Sequence, residues 1–161
     1  MLVLGVTGEI MDSSGDAAAA SAAQDRLDGG RFGLATIAGV GAAIGGAALW
    51  AIVTVLTNYE IGIMAVAVGF MVGKAIAAVA NSRNTAYGVL GAVCSLLGCV
   101  LGNLLSAIGF YAHARHIAYF DALGMVNPAV AIRLMTIMFS PMDLLFYAIG
   151  IYEGYRFSIV R

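Results

Sequence analysis

The sequence predicts an all-α integral membrane bundle of four transmembrane helices plus one short interfacial or re-entrant helix, and three observations predict it. Hydrophobic residues make up 61% of the 161-residue chain and charged residues only 11%. Soluble domains carry about 25% charged residues, so lipid is the solvent for most of this chain. The apolar runs are long enough to cross a hydrocarbon core of ~30 Å. Short polar links, Thr57-Asn58-Tyr59-Glu60 and Asn81-Ser82-Arg83-Asn84, separate them, and links that short set neighbouring helices antiparallel.

In chain order, residues 1–31 form an Ala-, Ser- and Asp-rich tail with too few large apolar groups to make a core. Met1–Met11 lacks the basic n-region and cleavage site of a signal peptide, and either Met1 or Met11 serves as a start. Helical character is expected across Ala17–Leu27, and Asp28-Gly29-Gly30 reads as a turn. The membrane domain follows over 32–161. Its first span, 32–57, carries no charge from Phe32 to Leu56, about 37 Å as a helix. The second is 60–80 and the third 86–111.

Residues 112–140 then mix His113, Arg115, His116 and Asp121 with Tyr119, Phe120 and Met125, an interfacial composition. Asn127-Pro128 supplies an N-cap and a first-turn proline for a helix over Ala129–Phe139, charged only at Arg133 and too short to span. Ser140-Pro141-Met142-Asp143 repeats the device with a carboxylate at the third position and opens the fourth span, 141–159.

Lipid offers no hydrophobic force to bring helices together, so packing along small-residue faces must do it. The first span offers Gly41-x-x-x-Gly45 and the second Gly69-x-x-x-Gly73. In the third, Gly91, Gly98, Gly102 and Gly109 share one direction, with Gly88, Ser95 and Ser106 alongside. These stripes predict a tight bundle rather than a glycine-lined pore. Cys94 and Cys99, five apart, point roughly 140° from each other on a helix and read as small core residues.

The charges inside the spans are the sharpest feature. Lys74, the chain's single lysine, shares a helical face with Glu60 and Ala67, opposite Gly62, Gly69 and Gly73. It lies about 21 Å into a span whose entry is on the outer side, and Glu153 lies about 18 Å past Pro141. Their depths match, and an unpaired charge in hydrocarbon is costly, so a Lys74–Glu153 ion pair is expected. The competing arrangement has Lys74 reaching the cytoplasmic headgroups and Glu153 pairing with Arg156.

A second group comprises Glu60, Asn103, Asp143 and His113, whose oxygens and imidazole suit a divalent cation or a proton relay. Each also has an ordinary use: Glu60 and Asp143 as helix-start residues, Asn103 as interhelical glue. His113 and His116 have the spacing to hold a pigment or haem, yet no carboxylate or Cys lies one turn away to complete a ligand set. No cofactor or metal is predicted. Tyr147, Tyr152, Tyr155 and Phe157, with Trp50 and Tyr59, read as packing and interface anchors. No nucleophile–base pair or phosphate loop appears, so the chain is not read as an enzyme. A net charge of −1 excludes nucleic acid as a partner.

Four spans put both termini on one side. That side carries Arg26, Arg31, Lys74, Arg83, Arg156 and Arg161 against Arg115 and Arg133 on the other, which predicts cytoplasmic termini. Four stretches carry a resemblance: Thr57-Asn58-Tyr59-Glu60-Ile61-Gly62, Val68-Gly69-Phe70-Met71-Val72-Gly73-Lys74, Leu97-Gly98-Cys99-Val100-Leu101-Gly102-Asn103, and Tyr152-Glu153-Gly154-Tyr155-Arg156-Phe157-Ser158. Over about 33–158 the chain resembles a family of uncharacterised bacterial multi-pass membrane modules, often found behind zinc-ribbon or GYF-like domains. This chain has the Ala-rich tail in that place. The resemblance implies a bacterial inner membrane and brings no activity with it. The sequence thus points to a non-catalytic accessory or scaffold subunit, or a homo-oligomer, whose partners are the bilayer and other membrane subunits. The alternative is a small ion or solute conduit using the intramembrane polar residues, against which stands the lack of an internal repeat.

Overall fold

A computed structural model describes residues 3–57, 62–138 and 140–159. All regular structure among them is helical, in the order α1 (Val3–Thr57), α2 (Met64–Ala80), α3 (Thr85–Arg115), α4 (Tyr119–Met125), α5 (Pro128–Met138) and α6 (Pro141–Ser158). Two stretches are long and apolar enough to cross a membrane unaided: Asp28–Thr57 within α1, and α3. A third candidate exists only as a broken pair, α4 with Pro128–Ile137, bent by 113°. The chain is a membrane-associated helical protein.

Local chemistry sets the helix ends. Asn81 closes α2 in the left-handed region at φ 42°, a conformation Asn tolerates better than most residues, and its N–H donates to the Ala77 carbonyl. Asn84 opens α3 by accepting from the Ala86 N–H at 2.9 Å. Asn127 opens α5, accepting from the Val130 N–H at 2.9 Å. Ser140 and Asp143 form the expected reciprocal cap of α6, with the Ser140 N–H donating to the Asp143 carboxylate at 2.8 Å.

Side-chain contacts fix the directions of the four packed helices. Phe32 lies 5.6 Å from Tyr87, Ala43 packs at Gly98, Trp50 at Gly102 and Val55 at Gly109, so α1 and α3 run parallel. Gly39 meets Ile76 and Gly46 meets Val68, so α2 runs antiparallel to α1. Gly150 against Ala65 and Phe157 against Gly73 place α6 parallel to α2. The result is an up-down-up-down bundle. Its core holds Val68, Val72, Ile76, Trp50, Tyr87, Cys94, Cys99 and Tyr147. The Phe32 end of α1 and the Ser158 end of α6 lie at the same end of the bundle.

The link between α3 and α6 leaves and rejoins the bundle at the opposite end. Within it, Ala122 is buried against Ile108 and Ala112 of α3, with Leu104, Tyr119 and Leu134 packed round them. The Tyr119 hydroxyl donates to the Leu105 carbonyl at 3.2 Å. The bent α4–α5 pair is therefore a hairpin laid on α3.

Several expectations are corrected. The backbone is helical straight through Asp28-Gly29-Gly30, where a turn was expected; a glycine inside a helix costs only about 1 kcal/mol, and helix formers flank it on both sides. Residues 62–63 form a turn and α2 begins at Met64, not at 60. Helix α3 continues to Arg115, which puts His113 on its last turn rather than in the link. The link holds α4 as well as the expected α5. The largest correction concerns the first span. Gly41 and Gly45 face outward with nothing within 4 Å of where a Cβ would sit, and Gly39 and Gly46 make the contacts instead.

Candidate functional site

Polar side chains gather in two places in this otherwise apolar bundle. The first is a layer in the core between α1, α3 and α6. Asn103 is 3% exposed and donates through Nδ2 to the Tyr147 hydroxyl at 3.0 Å. That hydroxyl in turn donates to the Cys99 carbonyl at 3.3 Å. Trp50 stands edge-on to Tyr147, ring centroids 6.5 Å apart, and Thr54 is buried one turn further along α1. Three buried atoms of the layer, Trp50 Nε1, Thr54 Oγ1 and Asn103 Oδ1, have no hydrogen-bond partner among the described residues, and neither has Ser95 Oγ two turns away at the α3–α6 seam. In the layer itself a hydroxyl and an indole N–H can donate and an amide oxygen can accept, so it can coordinate small polar species.

This layer does not assemble the cation site expected from Glu60, Asn103, Asp143 and His113. Asp143 lies one turn from Tyr147, but its carboxylate is bound to the head of its own helix. His113 is exposed, ten residues beyond Asn103 on α3, about 15 Å along the axis. Glu60 lies outside the described residues. Among the described residues, no three His, Cys, Asp or Glu side chains converge as a metal site. His116 is exposed and caps α3 with φ 55°, so the two histidines stand at the rim of the bundle.

The second place is a groove between α2 and α6. The two helices touch at their backbones: a Cβ at Gly69 would overlap the Gly150 carbonyl, and one at Gly73 would lie 2.7 Å from Phe157 Cβ. Beside this seam Ile63, Met64, Val66, Ala67, Phe70, Glu153 and Phe157 line a cleft of about 500 Å³. Lys74 and Glu153 are at the same level, as their depths predict, since the Gly73 position also abuts the Glu153 carbonyl oxygen. Among the described residues, however, no ion pair joins Lys74, Glu153 and Arg156. The Lys74 ammonium sits 5.7 Å from the Phe70 ring centroid and 5.5 Å from that of Phe157. These rings meet edge to face at 5.1 Å. Arg156 stacks over Tyr152 at 6.0 Å. The glycine seam draws Phe157 against α2, and its ring takes the place at Lys74 that a carboxylate was expected to fill.

Comparison with family models, curated proteins and solved structures finds no match.

Six of the eight packing glycines sit where expected. Gly69 and Gly73 face α6, Gly91 meets Gly154 and Ser158, Gly98 meets Val68 and Ala43, Gly102 meets Trp50, and Gly109 meets Val55. Residues that sequence reasoning missed carry signals of their own. Trp50 and Thr54 lie four apart on the α1 face that bears Gly39, Ala43 and Gly46. Phe70 and Lys74 are four apart, as are Glu153 and Phe157, so each charge has an aromatic one turn away on its own helix.

Proposed function

We propose that the chain is a four-span protein of the bacterial inner membrane, with both termini cytoplasmic, that works without catalysis as a packing subunit of a larger membrane assembly or a homo-oligomer. Helices α2 and α6, 17 and 18 residues long, reach about 25 and 27 Å, close to the hydrocarbon thickness. Both lie alongside the two longer spans, which supports counting them as crossings. The resemblance to multi-pass modules agrees with that count.

One observation carries the reading. The Gly41-x-x-x-Gly45 face, smooth enough for close helix approach, is turned away from the bundle and carries no contact among the described residues. Around it Ile37, Val40, Ile44 and Ile52 are exposed, so a second helix can lie flat against the glycines. The test is purification at natural expression level with mass spectrometry of the co-purifying proteins, for wild type and for Gly41→Leu with Gly45→Leu. A fixed-ratio complex or oligomer that the double variant loses, with its own fold retained, is the expected result. A lone wild-type monomer defeats the reading.

A second reading, a conduit for an ion or small solute, draws on the unpartnered polar atoms of the core layer. Against it, Gly91 and Gly154 close the bundle backbone to backbone below that layer. Flux into liposomes that Asn103→Leu abolishes is the result that favours the conduit.

A further inference from the structure

The α2–α6 groove combines three properties that the packing role does not use. It is apolar along its length, from Phe157 and Phe70 to Ile63 at the head of α2. At one end it carries a carboxylate, Glu153, half-buried in its wall, with no cation within ion-pairing distance among the described residues. At the same level, against the Phe70 and Phe157 rings that line the groove, stands the Lys74 ammonium, held there by cation–π contacts that leave its three N–H donors free. We propose that this groove binds a phospholipid with an ethanolamine headgroup, its phosphate on Lys74, its ammonium on Glu153 and an acyl chain along the apolar wall.

Depth and charge both argue for this occupant. Lys74 is six residues from the end of α2 and Glu153 five from the end of α6, about 9 and 8 Å along the helix axes. Helices slightly shorter than the hydrocarbon core thin the bilayer locally, which lowers phosphates toward this level. This step rests on the membrane-spanning reading above. A carboxylate facing lipid is costly unless it meets a cation, and a zwitterionic headgroup supplies one together with an anion for the neighbouring lysine. Phosphatidylglycerol offers the phosphate without the ammonium. Phosphatidylcholine offers a quaternary ammonium with no N–H to donate. The cleft volume lies within the ~300–1,000 Å³ of ordinary ligand sites.

The test reconstitutes the full chain in nanodiscs of equal parts phosphatidylethanolamine and phosphatidylcholine, then measures by native mass spectrometry which lipid stays bound. Wild type is expected to retain ethanolamine lipid over choline lipid by on the order of tenfold, the worth of one charge-assisted hydrogen bond. Glu153→Gln keeps lipid but brings that ratio near one, and Lys74→Met lowers retention of both lipids. Equal retention by wild type, or an unchanged ratio in Glu153→Gln, overturns the proposal. A photoreactive benzoylphenylalanine at position 67, in native membranes, crosslinks to lipid; a protein crosslinked there instead also overturns it. Gly41→Leu with Gly45→Leu leaves the lipid ratio unchanged, so the two readings fail separately.

Discussion

Helix α3 uses one glycine stripe in two different ways. At one level Gly91 faces the Gly154 carbonyl and the Ser158 hydroxyl, and a Cβ at Gly154 would lie 2.7 Å from the Gly91 carbonyl and against Ser95 Oγ. Backbone meets backbone. At other levels Gly88, Gly98, Gly102 and Gly109 receive side chains, those of Tyr155, Val68, Trp50 and Val55. The same residue type is a point of helix contact at one level and a socket at the others. A socket can adjust when its occupant turns, whereas two backbones in contact have no rotamer to change.

This difference orders the effects of adding a single methyl group. Gly69→Ala and Gly154→Ala are expected to be the worst, costing about 3 kcal/mol, the upper end for overpacking. Unfolding in mixed micelles measures it, and wild-type stability in either variant removes the distinction between backbone contact and socket. Gly102→Ala follows at about 2 kcal/mol, because its Cβ would lie 2.9 Å from the ring of Trp50, which is only 2% exposed. Gly109→Ala should cost about 1 kcal/mol. There the obstacle is a Val55 methyl beside an apolar crevice of about 450 Å³ lined by Ile52, Leu105 and Tyr119, into which it can turn. If Gly109→Ala costs more than Gly154→Ala, the socket is the stiffer element. Smallest of all, Gly45→Ala meets open space and should shift the stability of the isolated chain by no more than about 0.5 kcal/mol.

The parts of this arrangement that were legible in the sequence are those fixed by local chemistry or by angular position on one helix. The caps at Asn127 and Ser140 depend on residues within one turn and are found where expected. The stripe on α3 depends only on helical periodicity, and all of its members are buried. Depth was legible too, since rise per residue is constant, and Lys74 and Glu153 share a level. What failed needed knowledge of a partner. A small-xxx-small motif announces a smooth face without saying what lies on it, so Gly41 and Gly45 looked like bundle contacts when Gly39 and Gly46 make them. The expected Lys74–Glu153 pair failed for a related reason: depth says nothing about which side chain a glycine seam will push into the gap. The core layer was half legible, through Asn103 alone, because Trp50 and Tyr147 read as ordinary anchors and Thr54 carried no signal until three helices are brought together.

Helix α6 is the last helix in chain order, yet Gly69 and Gly73 of α2 and Gly91 of α3 all find their contacts on it. During synthesis those faces stay uncovered until residues 141–158 have emerged. Biogenesis therefore has a long interval in which the most adhesive surfaces of the chain are complete and unclaimed. Anything that delays the arrival of α6 lengthens the time during which a neighbouring protein can occupy its place.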